Sequence, residues 1–140
     1  MKIKTSRFGI IKSDESQIIK ISKGLYGFIE ADKFVIIESE ESEPFKWLQS
    51  VDFPNLAFVI VEPEKFFPDY KMEIPFDALE ELNLKSEEDA KVYVVVVIPP
   101  DPKKMTANML GPIVINSPNM LGKQVVISNE HYSVRHSIIS

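Results

Sequence analysis

His131 and His136 are the only two histidines of the chain, and with them any search for chemistry begins. An odd number of positions separates them, so on one strand they point to opposite faces and cannot hold one metal ion together. Both are expected to be isolated and to face solvent. Cysteine is absent, which removes a thiolate metal site, a disulfide framework and a Cys nucleophile. No G-x-S-x-G, P-loop or H-E-x-x-H spacing occurs. The stretch Gly24-Leu25-Tyr26-Gly27 has some of the look of a phosphate loop, but no helix with a free N-terminus follows a strand there. The pairs Glu40-Glu41, Glu80-Glu81 and Glu87-Glu88 lie in charge runs of the kind that form solvated faces. No catalytic, metal or cofactor residue emerges, and the expectation is a protein that is not an enzyme.

The most unusual composition lies between Pro99 and Ile127. A Val-rich strand ends at Pro99-Pro100, a connection bearing Met105, Thr106, Asn108 and Met109 follows, and Gly111-Pro112 opens the apolar run Ile113-Val114-Ile115. A second loop, Asn116 to Gly122, leads into a strand from Gln124 to Ile127. Two readings are open here. The loops present an adaptable contact surface on a rigid scaffold, or their methionines fill gaps in the core.

With 140 residues, 44% hydrophobic and 26% charged, the chain fits one domain, 1–140, with a core that needs no staples. A net charge of -5 argues against direct nucleic-acid binding, which needs clustered Lys and Arg, and favours basic partners. The N-terminus alternates apolar and polar residues and reads as a first strand, not a signal peptide. The longest apolar run, Val92 to Pro100, is too short to span a bilayer. A cysteine-free chain of this kind is expected in the cytoplasm, away from membranes.

The elements follow from the hydrophobic pattern. Ile3 and Thr5 share one face of a first strand, which turns or bulges at Phe8-Gly9 and restarts at Ile10-Ile11; Ile19 and Ile21 share a face of the next. Leu25 and Phe28, in a glycine-punctuated loop, are available to plug the end of a sheet. Phe34 to Ile37 is apolar enough to be buried on both sides, and Phe45 to Val51 and Leu56 to Val61 read as further strands. Asp77 reads as the N-cap of one helix near 77–83, with Ala78, Leu79 and Leu82 on one face. Ser86-Glu87-Glu88-Asp89 has room for a short helical turn only, and Lys91 to Ile98 is the most β-prone segment. Many short strands with one inserted helix predict a mostly β protein, a small antiparallel β-barrel or strongly curled sheet with one short helix.

In this order the segments IKTSRFG (3–9), Gly24-Leu25 with Gly27-Phe28, FKWLQS (45–50), FFPDY (66–70), MTANMLGPIVIN (105–116), GKQV (122–125) and YSVRH (132–136) resemble the flagellar assembly factor family FliW. The resemblance implies a cytoplasmic, non-enzymatic β-barrel with two protein partners: flagellin, and the RNA-binding translational regulator CsrA. It implies a partner switch in which flagellin bound to this protein leaves CsrA free to repress flagellin translation. Two departures stand out. Tyr26 lies where the family reads the proline of Leu-Pro-Gly, which predicts a less rigid turn, and Gly111 stands where alanine is expected, which predicts a looser entry to the strand after it.

The flagellin surface is expected on the FFPDY turn and the Met105 to Leu110 loop, with Phe67, Tyr70, Met109 and Leu110 forming an adaptable apolar groove beside Asp69, Met105 and Asn108. The acidic runs Glu38 to Glu43 and Glu80 to Asp89, with Glu87 and Glu88 as test positions, are expected to steer a basic CsrA; the alternative is that they only confer solubility. The motifs do not fix which residue meets which partner. The competing class is a small-ligand-binding barrel or an enzyme of unknown chemistry, and an interior filled by Val92, Val94, Val96, Ile113 and Ile115 would leave such a ligand no room.

Overall fold

Residues 1–139 are described by a computed structural model. Segments rich in β-branched and aromatic residues form strands, because such side chains pack well on a pleated surface. In chain order these are β1 (Lys2–Thr5), β2 (Gly9–Lys12), β3 (Ile19–Lys20), β4 (Lys33–Ile37), β5 (Lys46–Ser50), β6 (Ala57–Val61), β7 (Ala90–Val97), β8 (Thr106–Ala107), β9 (Ile113–Asn116), β10 (Leu121–Gln124) and β11 (His136–Ser137). One α-helix, α1 (Phe76–Glu81), lies between β6 and β7.

Strands β3 to β7 pair in sequence, β7 pairs with β9, β9 with β10, and β10 returns to β3, closing a barrel of 7 strands. An odd number of strands cannot alternate direction all the way round. The one parallel pairing this demands is β3 with β10, made by the single register pair Leu121 and Lys20. The expected mostly β barrel with one short helix is thus the fold found.

The lumen is filled by side chains from facing register positions. Leu48 lies opposite both Ile36 and Phe58, Ile60 opposite Val95, Tyr93 opposite Ile113, and Ile115 opposite Gly122. Ile19 and Phe34 complete this core. Gly122 leaves room for them: a Cβ would lie 3.1 Å from Ile21 and 3.2 Å from Ile19, so those side chains would have to shift to admit one. The expectation that Val92, Val94 and Val96 fill the interior is corrected: β7 contributes Tyr93 and Val95 inward, while Val92, Val94 and Val96 face outward. From Val92 onward this strand is apolar on both faces and carries no alternation to read, and here its outer face is covered as well.

Three outer layers cover the barrel. Helix α1 lays Ala78 and Leu82 over Val114 and Val125. The segment from Phe66 to Tyr70 and the C-terminal residues cover Val61, Val94 and Val96. The β1–β2 hairpin meets the opposite wall through the Phe8 ring, edge-on to Trp47 at 5.2 Å, and through the Ser6 N–H, which donates to the Pro54 carbonyl.

The helix begins one residue earlier than the sequence suggested. Pro75 is its N-cap without a side-chain bond, and Asp77 sits inside the first turn, where its charge still favours the positive end of the backbone dipole. Its C-terminal carbonyls are capped from a distant strand: Asn116 Nδ2 donates to Leu82 O at 2.7 Å and to Asn83 O at 3.3 Å. The short turn expected after Ser86 is a 3-10 turn over Glu87–Asp89, capped by Ser86 Oγ accepting from the Glu88 N–H at 3.2 Å.

Candidate functional site

Between β8 and β9 the six-residue step from Ala107 to Ile113 faces only a three-residue step on β7, from Val96 to Tyr93. The surplus residues loop out over the barrel wall. Asn108 Oδ1 accepts from the Leu110 N–H at 3.2 Å and bends the loop, as a short amide side chain does well. Met109 is drawn inward: its N–H donates to Ser133 O at 3.1 Å, and its carbonyl accepts from the Tyr70 hydroxyl at 3.1 Å. Around Tyr70 the rings close up, with Tyr132 at 5.1 Å, while Phe67 meets Tyr132 at 5.9 Å and His136 at 5.2 Å. Burial pushes the Tyr70 phenol up to about 12, with Tyr132 adding to it.

Phe67, Tyr70, Met105 and Met109 are therefore gathered as the sequence suggested, but as core. Met109 is 0% exposed, Tyr70 4% and Met105 8%, so the expected open groove built on Met109 and Tyr70 is corrected to a packed cluster. Asp69 is exposed, and Phe67, Asn108 and Leu110 keep part of their surface. His131 is exposed as expected; His136 is not, because it serves as an aromatic plate against Phe67 and Tyr132. Gly111 packs under two amide side chains. A Cβ there would lie 2.7 Å from Asn108 Nδ2 and 3.1 Å from Gln124 Nε2, so an alanine would have to displace these side-chain amides.

Glu87 and Glu88 are exposed and stand apart from this cluster. They precede Ala90 at one end of β7, whereas Ala107 pairs with Val96 near the other, roughly 20 Å along the strand. Of the remaining acidic residues, Glu81 is engaged by Lys123 at 2.7 Å and Lys23 at 3.8 Å, and the bond from Lys123 holds its carboxyl below the usual range. Glu38 accepts from Lys46 Nζ at 3.0 Å; burial opposes the Lys46 charge, yet this bond keeps its pKa above the ordinary value.

A second loop cluster was missed by the sequence reading. Leu25-Tyr26-Gly27-Phe28 is a β-turn closed by Phe28 N–H to Leu25 O at 2.8 Å, with Gly27 at φ +87°, the type II requirement. The turn is therefore kept with tyrosine where proline is usual. Gly24, at φ +61°, runs so close to the returning chain that a Cβ would lie 2.6 Å from Phe28 O. Gln124 ties the loop down, accepting from the Tyr26 N–H and donating to Gly111 O, each at 2.9 Å. Leu25 plugs the barrel as expected, but Phe28 does not, being 45% exposed. With Ile29, Phe53 and Leu56 it lines a surface groove of about 510 Å³. The signal available in the sequence was two glycines bracketing Leu-Tyr and followed by Phe-Ile, too many large apolar residues for so tight a loop to turn inward.

The barrel interior is occupied by side chains, and the larger clefts open on the surface. Among the described residues no group of three His, Asp or Glu could hold a metal ion, and no helix is long and apolar enough to cross a membrane.

The FliW protein family model matches residues 2–138. The flagellar assembly factor FliW of Thermoanaerobacter pseudethanolicus is 39% identical over 140 residues, covering 99% of this chain and 93% of that protein. That of Leptospira biflexa is 43% identical over 138 residues, covering 98% and 90%. A crystal structure of the flagellar assembly factor FliW superposes with a TM-score of 0.93 at 37% identity, covering 100% of this chain and 98% of the other. The family match over nearly the whole length and the shared barrel together place this chain in the FliW family.

Proposed function

We propose that this protein is a cytoplasmic, non-enzymatic flagellar assembly factor that binds flagellin and, when flagellin is scarce, binds and antagonises CsrA, coupling the flagellin level to its translation. One observation carries this reading: the barrel of a FliW-family chain is filled by its own side chains, leaving the surface as the place to act. A binding factor suits a chain of net charge -5 whose regulator partner, as an RNA-binding protein, carries basic surface. The whole chain, 1–140, acts as one unit.

Two surfaces are assigned to partners. What stays accessible around the packed cluster, namely Phe67, Asp69, Asn108 and Leu110, borders the flagellin contact, with Tyr70, Met105 and Met109 supporting it from within. Glu87 and Glu88 steer CsrA. The test is titration of the purified chain with purified flagellin and purified CsrA by calorimetry, followed by stopped-flow association across a salt series. Both partners are expected to bind, with CsrA association slowed by salt as the Debye length falls from roughly 10 Å at 0.1 M to about 3 Å at 1 M. Glu87→Lys with Glu88→Lys is expected to lower the CsrA on-rate and leave flagellin unchanged. Absence of binding to either partner by a folded chain would defeat the proposal, and a salt-independent on-rate would remove the steering.

A further inference from the structure

We propose that the outer edge of β2, in the β1–β2 hairpin, is a docking site for an extended acidic segment that adds to it as a third strand. Strands β1 and β2 form a sheet of their own, paired among the described residues with no strand of the barrel. A two-stranded ribbon is the least self-sufficient of sheets, and a third strand strengthens it.

The register shows which backbone groups are free. Met1 and Ser13 exchange two bonds, Ser13 N–H to Met1 O at 2.9 Å and Met1 N to Ser13 O at 2.8 Å. Bonded and non-bonded pairs alternate in an antiparallel ladder, so Ile3 with Ile11 and Thr5 with Gly9 are the next bonded pairs. Lys2 with Lys12 and Lys4 with Ile10 are the others, and their N–H and C=O groups point away from the hairpin. On the β1 side this edge is met by another part of the chain, the Ser6 N–H donating to Pro54 O at 2.9 Å. On the β2 side the N–H and C=O groups of Ile10 and Lys12 have no partner among the described residues. Free donors and acceptors in a row are what an added strand requires.

Charge selects the segment. Ile3 and Thr5 are buried under the hairpin, while Lys2, Lys4, Ile10 and Lys12 lie on its exposed face, Ile10 being 65% exposed. Lys2 stands directly across from Lys12, in the class of pair whose Cα atoms are only about 4.5 Å apart, so like charges oppose one another. No ion pair relieves them: among the described residues the lysines paired with carboxylates are Lys23, Lys46, Lys65 and Lys123. Asp14, just beyond β2, is turned to its own 3-10 turn, accepting from the Ser16 N–H at 3.1 Å. The chain holds 16 Lys and Arg against 21 Asp and Glu, yet residues 1–12 carry Lys2, Lys4, Arg7 and Lys12 and no acid. A strand laid antiparallel on β2 sets one side chain over Ile10 and the residue two positions before it over Lys12. The first is therefore aliphatic and the second Asp or Glu. A second copy of this edge would instead add lysines to lysines.

None of these residues belongs to the surfaces assigned above to flagellin and CsrA, and the inference rests on neither partner. The probe is the peptide Thr-Glu-Thr-Glu-Thr-Val-Thr-Glu-Thr, blocked at both ends and titrated into the isotope-labelled full chain while amide NMR shifts are followed. One control replaces every glutamate by lysine. The other keeps the sequence but methylates the backbone nitrogens that would face β2. Saturable shifts centred on residues 9–12 are expected, with slowed exchange of the Ile10 and Lys12 amides and both controls bound at least about tenfold more weakly. Lys12→Glu should melt as the parent does and weaken the peptide at least about tenfold. Absence of binding, shifts centred elsewhere, equal binding of either control, or a folded Lys12→Glu chain that binds normally would overturn the proposal. So would oligouridylate seating on these residues more tightly than the peptide, which would assign the face to nucleic acid. A dimer that forms through this edge without peptide would assign it to a second copy. Failure of flagellin and CsrA to bind while the peptide still seats would count against the partners proposed above and not against this edge.

Discussion

Two loop clusters, each rich in large apolar side chains, meet opposite fates in this barrel. At Phe66–Tyr70 and Asn108–Pro112 the loops fold back on the outer wall, Tyr70 and Met109 vanish into a packed cluster, and the polar backbone is satisfied by Tyr70 and Ser133. At Gly24–Ala31 two glycines in left-handed conformations tighten the loop until Tyr26 and Ile29 have no core to enter. Similar composition thus yields a structural layer in one place and a presented surface in the other. Backbone conformation decides, more than hydrophobicity does.

If that contrast holds, truncating the packed cluster should carry the largest stability loss. Met109→Ala removes a side chain with no exposed surface and is expected to destabilise by about 2 to 5 kcal/mol, read as a lowered denaturation midpoint at unchanged m-value. Next in size is Gly24→Ala. It places a Cβ 2.6 Å from Phe28 O in a left-handed backbone and should cost about 2 kcal/mol or more while shifting the NMR signals of the whole 24–31 loop. A Gly24→Ala chain as stable as the parent would show that the loop is not held as described.

A smaller effect comes from the tie between the two regions. Gln124→Ala leaves the Tyr26 N–H and the Gly111 carbonyl without their partner and is expected to cost about 1 to 3 kcal/mol, with faster amide exchange at Tyr26. The packed cluster also has a pH signature. Tyr70 ionises near 10 when unfolded but at about 12 in the fold, so the folded state resists losing the proton. Its contribution is full below pH 10 and is lost as pH rises towards 12. Thermal melts from pH 9 to 11 should show stability falling at the upper end, and the fall should be shallower in Tyr70→Phe. Tyr93, also raised by burial, leaves a residual slope.

How far the sequence spoke for itself can be judged residue by residue. Ile19 and Ile21, Phe34 to Ile37 and the one helix were legible, because alternation, continuous apolarity and helical spacing each leave a distinct trace. The register of β7 was not, since Lys91 to Ile98 is apolar on both faces and only its neighbours decide which valines enter the lumen. Asp77 looked like a cap, but Pro75 pre-sets the backbone so that the helix starts before it. At the candidate site the sequence named the right neighbours, Phe67 with Tyr70 and Met109, and misjudged their exposure. Tyr70 packs on Tyr132 and Met109 bonds to Ser133, contacts across more than twenty positions that no local pattern encodes. The open groove was overlooked for the converse reason, that it joins residues 27–31 to residues 53–56.

The most direct test of the division between a packed and an exposed cluster is a crossed measurement on two variants, recording for each the melting temperature and the amide NMR spectrum. Met109→Ala should melt about 5 °C or more below the parent and, while folded, keep the signals of residues 24–31 in place. Ile29→Asp, at a site 73% exposed, should change stability by no more than about 0.5 kcal/mol and shift only the signals of its own loop and the facing residues 53–56. The opposite pattern, with Met109→Ala melting like the parent and Ile29→Asp melting well below it, would contradict the assignment of the two regions.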